Sequence, residues 1–204
     1  MVTRLQQQAI DLYSELMEEV KIRLGAIELA VDGKIPLPGR LVEEFCYLQL
    51  RMLCELIALG CMTAHGDIAQ TKKLQGTWEA DKMIKQLEQL HPQFFPRAVK
   101  MNIVTNVSIQ ISDDDSVYLT KDELLLLWRK CGERLHRGNA KKLLSSRMPI
   151  QVHFRDVDGW ARKIGNLLDQ HHIASSDNKR HFIVALKVLE LGGRTQVAFA
   201  ESPV

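Results

Sequence analysis

Apolar residues recur at helical spacing over the first part of the chain and alternate with polar ones only after about residue 100. Between Thr3 and Gly33 they return every three or four positions, with charged residues on the other face. The apolar positions are Leu5, Ala9, Ile10, Leu12, Leu16, Val20, Leu24, Ile27 and Val31. Thr3 suits an N-cap and Asp32-Gly33 suits a helix end, so the pattern predicts one long helix. Pro36 and Pro38 then stop helix on either side of the following turn.

A second segment, 40–67, is apolar nearly all round, which predicts a helix buried among other helices. A two-helix hairpin would not cover it, so the pattern permits a homodimer, although further helices of the same chain could also cover it. A third, more polar helix is predicted over 69–91 and stops at His91-Pro92. Its inner positions are Leu74, Trp78, Met83 or Ile84, Leu87 and Leu90.

The period changes to two over 103–111, which predicts a half-buried strand. A turn at 113–116 and a short strand at 117–119 complete a predicted hairpin over 103–119. Thr120 and Glu123 have capping-box spacing and predict a helix over 121–137.

The last part of the chain is mixed. It predicts a short strand over 150–154, a helix over 155–172 and a β-hairpin that turns at Gly192-Gly193. The fold class is therefore α+β, a helical bundle with a small antiparallel sheet and a C-terminal β-hairpin. We expect a helical block over 1–140 with the inserted hairpin 103–119, and an α+β extension over 141–204 that packs on it. A single domain over 1–204 is the alternative.

Composition excludes some classes of protein and leaves others. Of the 204 residues, 46% are apolar and 25% are charged, and the net charge is +2, which is typical of a globular protein without a general affinity for nucleic acid. Three of the four cysteines lie in the second helix and none forms a CxxC pair, which favours a reducing cytoplasm over a disulfide framework. The first residues do not resemble a signal peptide, and Glu55 interrupts the longest apolar run, so we expect no membrane span.

The most distinctive motif is LWRKCGERLHRGN at 127–139. On a helix, Arg129 and His136 are seven residues apart and project from the same face. Arginine binds phosphate and histidine transfers protons near neutral pH, so the pair could cleave a phosphodiester without a metal. The plainer interpretation is that Lys130, Arg134 and Arg137 join these two as cations that oppose the negative end of a helix dipole.

An arginine, a polar residue, a short gap and a histidine near the end of the last long helix of a helical block resemble the HEPN superfamily. Arg129, Lys130 and His136 carry this resemblance, which covers about residues 1–140. It implies a compact helical bundle, often a metal-independent ribonuclease of bacterial defence or toxin–antitoxin systems that acts as a dimer. Lys130 stands where a small polar or acidic residue is usual, and the hairpin 103–119 is an insertion. Both departures favour a non-catalytic member, of which that superfamily has many.

A second polar group lies inside the apolar second helix. Arg51 and Glu55 have the i,i+4 spacing of an ion pair, and a buried charge needs a partner. The plainer interpretation is a structural ion pair that sets helix register. The alternative adds His65, or the pair Arg129 and His136, to form a polar pocket between helices.

Two further groups suggest a metal site, but neither has a metal-binding spacing. The four histidines His153, His171, His172 and His181 do not follow a zinc motif. Residues 113–115 lack the later glycine and glutamate of a calcium loop. We therefore predict no metal and no cofactor.

The first functional prediction is that this chain is a non-catalytic, soluble binding or regulatory protein with a HEPN-like core. The first alternative is a metal-independent endoribonuclease in which Arg129 binds phosphate and His136 acts as general acid or base. The second alternative is a nucleic-acid-binding protein whose basic region 129–147 contacts RNA, although this region could equally be a solvated face.

Overall fold

The computed structural model describes residues 3–66, 76–77, 79–105, 108–136, 154–175 and 178–201. Five α-helices lie in these ranges. They are α1 (Arg4–Val31), α2 (Gly39–Ala64), α3 (Ala80–Leu90), α4 (Lys121–Leu135) and α5 (Phe154–Asp169). Five strands accompany them, β1 (Arg97–Thr105), β2 (Ser108–Asp113), β3 (Gln170–Ala174), β4 (Arg180–Val188) and β5 (Arg194–Glu201).

Capping boxes explain where α1 and α4 begin; the one at Thr120 was predicted as such, and Thr3 was predicted as an N-cap. Thr3 Oγ1 accepts from the backbone N–H of Gln6, whose side-chain oxygen accepts from the N–H of Thr3. Thr120 and Glu123 make the same reciprocal pair at the start of α4. Each box satisfies two backbone donors that the first helical turn leaves without partners.

The inner face of α1 differs from the prediction at its N-terminal end. The buried side chains are Tyr13, Met17, Val20, Ile27 and Ala30. Leu5 is 78% exposed and Leu12 is 47% exposed, although both belong to the apolar face that the spacing indicates. The reason is tertiary, because the elements that pack on the middle of α1 leave an open cleft beside its first turns.

Helix α2 is the most buried helix, as its uniform apolar character predicts. Thirteen of its residues are buried, from Val42 to Ala64. By length and composition α2 could also cross a membrane, but 56% of its most apolar window is buried inside the protein. Helix α3 is described only from Ala80, so the predicted inner positions Leu74 and Trp78 lie outside the described residues.

The first hairpin turns earlier than predicted. β1 pairs antiparallel with β2, with Met101 opposite Ile111 and Thr105 opposite Ser108. The reversal therefore falls inside the segment predicted as one strand, and 117–119 is not a strand. Alternation continues through both strands with the same period, so the pattern contains no sign of the turn. Leu119 instead donates its N–H to the carbonyl of Lys163 on α5.

The predicted helix over 155–172 ends early, at Asp169, and its last residues begin strand β3. Phe154, predicted as the end of a strand, is the first residue of α5, and 150–153 lie outside the described residues. The C-terminal hairpin forms as predicted, with Gly192 and Gly193 at φ of +67° and +77°, where glycine avoids the strain of a side chain.

Sheet order is β2-β1-β3-β4-β5, and all neighbouring strands are antiparallel. Strand β3 thus joins the first hairpin to the C-terminal one in a single sheet. Helices α1 and α5 pack on the sheet, and one hydrophobic core runs from Tyr13 on α1 to Leu186 on β4. The fold is α+β, as predicted.

Candidate functional site

Arg129 and His136 lie outside the lining of both clefts found among the residues that the structure describes. His136 is the C-cap of α4, and its N–H still donates to the carbonyl of Gly132, so it keeps its helical relation to Arg129 and the chain leaves the helix only after it. Both side chains are exposed. Among the residues that the structure describes, neither has a hydrogen bond or an ion pair, and neither lines the apolar cleft defined below.

The neighbouring cations of α4 pack against other helices. Lys130 Nζ lies 2.7 Å from Asp156 Oδ2 on α5, and the Arg134 guanidinium lies 5.7 Å from the Tyr47 ring on α2. Arg137 and the remainder of the basic region, 138–147, lie outside the described residues. Lys130 and Arg134 therefore have structural partners that the helix-end interpretation did not foresee.

Arg51 links α2 to α4 through an aromatic ring. Its guanidinium carbon lies 3.8 Å from the centre of the Trp128 ring, a cation–π contact, and its Nε lies 3.7 Å from Glu55 Oε1. Gly132 on α4 also lies beside this guanidinium, since a Cβ there would make an ordinary 3.6 Å contact with Arg51 Nη1. Partial burial raises the pKa of Glu55, and Arg51 and then Arg23 oppose that shift.

His65 does not join Arg51 and Glu55. It is the C-cap of α2, ten residues after Glu55 and thus about 15 Å further along the helix. Its Nε2 donates to the carbonyl of Phe94 at 3.1 Å, and its ring meets the edge of His91 at 5.1 Å between centroids. His91 in turn donates to the carbonyl of Ala174 at 3.2 Å. His65 and His91 thus each make a hydrogen bond to a backbone carbonyl near the end of a helix or strand.

The sequence analysis missed a buried pair, Tyr13 and His171. The Tyr13 hydroxyl lies 2.7 Å from His171 Nε2, and His171 Nδ1 lies 3.0 Å from the carbonyl of Leu168. Because a carbonyl only accepts, Nδ1 carries the proton, and Nε2 accepts from the tyrosine. Burial lowers the pKa of His171 to about 4 and raises that of Tyr13. Nothing in the spacing of residues 158 positions apart could have shown this pair.

His172 and His181 meet across strands β3 and β4. Nε2 of His172 lies 3.0 Å from Nδ1 of His181, so one ring donates to the other. Burial lowers the pKa of His172, and His181 and Arg97 lower it further. Within the described ranges, no three His, Cys, Asp or Glu side chains come together as metal ligands, and His153 lies outside those ranges.

An open cleft of about 540 Å³ lies between the first turns of α1, the last turn of α2 and strands β4 and β5. We call it the apolar cleft. It is lined by Leu5, Gln6, Gln8, Ala9, Leu12, Met62, Thr63, Ala64, Gly66, Ser175, Arg180, Phe182 and Phe199. Its volume is within the range of small-molecule sites, which are mostly apolar with a few polar groups.

Strand pairing holds one rim of the apolar cleft in place. Ser175 donates its N–H to the carbonyl of Arg180 at 2.8 Å, and its Oγ accepts from the N–H of Arg180 at 3.0 Å. On the paired strands β4 and β5 the Phe182 and Phe199 rings meet edge to face, 5.5 Å apart between centroids. The cleft is therefore built on fixed strands and helix ends.

The sequence carries part of the signal for this cleft, namely an apolar stripe at the start of α1. Leu5, Ala9 and Leu12 are spaced as one helical stripe, and such a stripe indicates burial without saying what buries it. The two phenylalanines opposite lie far along the chain, so only the folded arrangement makes a cleft of these residues.

The chain was compared with models of protein families, with curated proteins and with solved structures, and none of them matches it. The resemblance to the HEPN superfamily through Arg129, Lys130 and His136 therefore stays a prediction.

Proposed function

We propose that this protein is a non-catalytic, soluble binding module that holds a predominantly apolar small molecule in the apolar cleft. The observation that carries the proposal is the exposure of Leu5 and Leu12, 78% and 47%, on a wall of the cleft. Large apolar side chains left in water at a concave surface cost free energy that a ligand can recover.

The lining of the cleft favours binding over catalysis. Acid–base or nucleophilic chemistry needs a side chain that can exchange a proton or attack. Of the described lining residues only Arg180 carries a charge, and arginine is not a general base at neutral pH. The described lining contains no histidine, aspartate or glutamate that could act as a base. Polar lining groups such as Gln6 can orient a ligand.

The four cysteines are free and buried, namely Cys46, Cys54, Cys61 and Cys131. Burial raises the pKa of Cys46 to about 11 and that of Cys131 to about 12, so these thiols are unreactive near neutral pH. A core built on unpaired thiols supports a cytoplasmic location.

The proposal is tested by titrating the protein with anilinonaphthalene sulfonate, an apolar dye that fluoresces when it leaves water, and by competing with lauric acid. Ala9→Trp places a large side chain in the cleft. Ala26→Trp adds the same side chain to α1 at a similarly half-buried alanine outside the cleft. We expect saturable binding by the wild type and by Ala26→Trp, and at least a tenfold loss of affinity in Ala9→Trp.

Equal dye affinity in the two tryptophan variants would contradict the proposal, provided that both keep the wild-type circular dichroism. If Ala9→Trp does not fold, Leu5→Lys serves instead, since Leu5 is exposed and its replacement removes apolar surface at the mouth. Failure of lauric acid to displace the dye from the wild type would also count against an apolar ligand.

A further inference from the structure

Helix α2 carries an apolar stripe on the face that its own fold leaves open. We call it the α2 stripe. Its apolar members follow one another at intervals of four and three, with Glu55 in the one remaining position. They are Leu41, Phe45, Leu48, Met52, Leu59 and Met62. Leu41 is 47% exposed and Leu48 is 44% exposed, and the other four are half-buried.

The spacing of the stripe indicates what covers it. A 4-3 repeat over three heptads is the pattern with which one helix packs along another. The stripe is about 30 Å long, so it suits a helix of similar length rather than a loop or a single side chain. A lipid surface fits less well, because Arg51 and Glu55 lie in or beside the middle of the stripe.

We propose that two copies of this chain form a dimer by packing their α2 stripes antiparallel about a two-fold axis near Met52. The stripe shares Met62 with the apolar cleft, but the dimer does not require the proposed ligand-binding function. A dimer interface made by the same surface on both copies is the commonest symmetric arrangement.

The charges within the stripe determine the direction. Arg51 and Glu55 lie on either side of its midpoint, about one helical turn apart. An antiparallel pair whose axis falls midway between residues 51 and 55 places each Arg51 opposite Glu55 of the second copy, so that opposite charges meet. In a parallel pair Glu55 would face Glu55 and Arg51 would face Arg51 in a poorly solvated seam, which is unfavourable.

The oligomeric state is tested by light scattering after gel filtration, over a series of micromolar concentrations. Leu48→Lys places a charge in the stripe. Leu126→Lys places the same charge on α4, at a leucine that is 48% exposed and lies outside the stripe. We expect a dimer for the wild type and for Leu126→Lys, and a monomer for Leu48→Lys. A monomeric wild type, or two variants that dimerise equally, would overturn the proposal.

The antiparallel direction is tested by oxidation of two cysteine variants, with the wild type as control for its four buried thiols. Two copies of Met52 lie close to the axis, so Met52→Cys is expected to form a covalent dimer. Two copies of Leu41 are about 30 Å apart in an antiparallel pair, beyond the reach of a disulfide, so Leu41→Cys is expected to stay uncrosslinked. Equal crosslinking of both variants would show a parallel pair and overturn the antiparallel arrangement.

A membrane is the competing occupant of the stripe. Flotation with vesicles of phosphatidylcholine and phosphatidylglycerol tests it directly. We expect the wild-type protein to stay in solution. Flotation of the wild type together with its loss in Leu48→Lys would assign the α2 stripe to lipid and overturn the dimer.

Discussion

Acidification should destabilise this protein through His171. In the folded chain its Nδ1 donates to the carbonyl of Leu168 and its Nε2 accepts from the Tyr13 hydroxyl, all within the core. A second proton can bind only at Nε2. There it would create a buried positive charge beside the Tyr13 hydroxyl, whose hydrogen already points at Nε2. The folded state therefore binds this proton much more weakly than the unfolded chain does.

The size of the effect follows from the two pKa values. Burial lowers the pKa of His171 from its usual 6.5 to about 4, so between these values the unfolded chain is protonated and the folded chain is not. The contribution of His171 to the free energy of unfolding is fully present above pH 6.5 and is lost as the pH drops towards 4. The whole loss is about 3 kcal/mol, of which about 2 kcal/mol falls between pH 7 and pH 5.

Urea unfolding followed by tryptophan fluorescence at pH 7 and pH 5 measures this loss. His171→Gln removes the titrating ring, so its stability should change with pH by about 2 kcal/mol less than that of the wild type. His136→Gln replaces an exposed histidine and should keep the wild-type pH dependence. Tyr13→Phe removes the donor to Nε2 and should give an intermediate dependence.

The reasoning would be refuted if His171→Gln lost as much stability as the wild type between pH 7 and pH 5. If that variant does not fold, Tyr13→Phe decides, since an unchanged pH dependence in it would show that the tyrosine does not hold His171 in its neutral form.

Three further outcomes follow from the contacts of α2 and α4. Arg51→Met should reduce the free energy of unfolding by about 1–2 kcal/mol in urea titrations, because it removes the cation over Trp128 and leaves Glu55 half-buried without its partner. Thr120→Ala should cost about 1 kcal/mol, since it removes a capping box, and Thr120→Ser should restore most of that loss. RNA incubated in EDTA with the wild type or with His136→Ala should survive as well as RNA in buffer, because Arg129 and His136 are exposed and do not line the apolar cleft. Faster loss of RNA with the wild type alone would favour the ribonuclease.

Local signals in the sequence were sufficient where the physics is local. The capping boxes at Thr3 and Thr120 act within four residues, and a glycine pair in a hairpin acts within two, so spacing alone locates them. The burial of α2 also followed from its composition, because a helix that is apolar all round must be covered on most sides.

Strands of the same period were harder to separate. The chain over 103–111 keeps one period, so one strand and a tight hairpin look alike, and the pairing of β1 with β2 shows the hairpin. The first residues of β3, Gln170 and His171, were read as the end of α5, because apolar residues at helical spacing lead up to them. Their position between β1 and β4 in the sheet decided otherwise.

The sequence by itself determined the class of the fold, the ends of most helices and the presence of more apolar helix surface than a simple hairpin could bury. The tertiary structure alone decided which of that surface stays open. It left Leu5 and Leu12 beside a cleft, left Leu41 and Leu48 on the α2 stripe, and left Arg129 and His136 exposed. The physical reason is that burial depends on neighbours from distant parts of the chain, while helix periodicity reports only that a face is apolar.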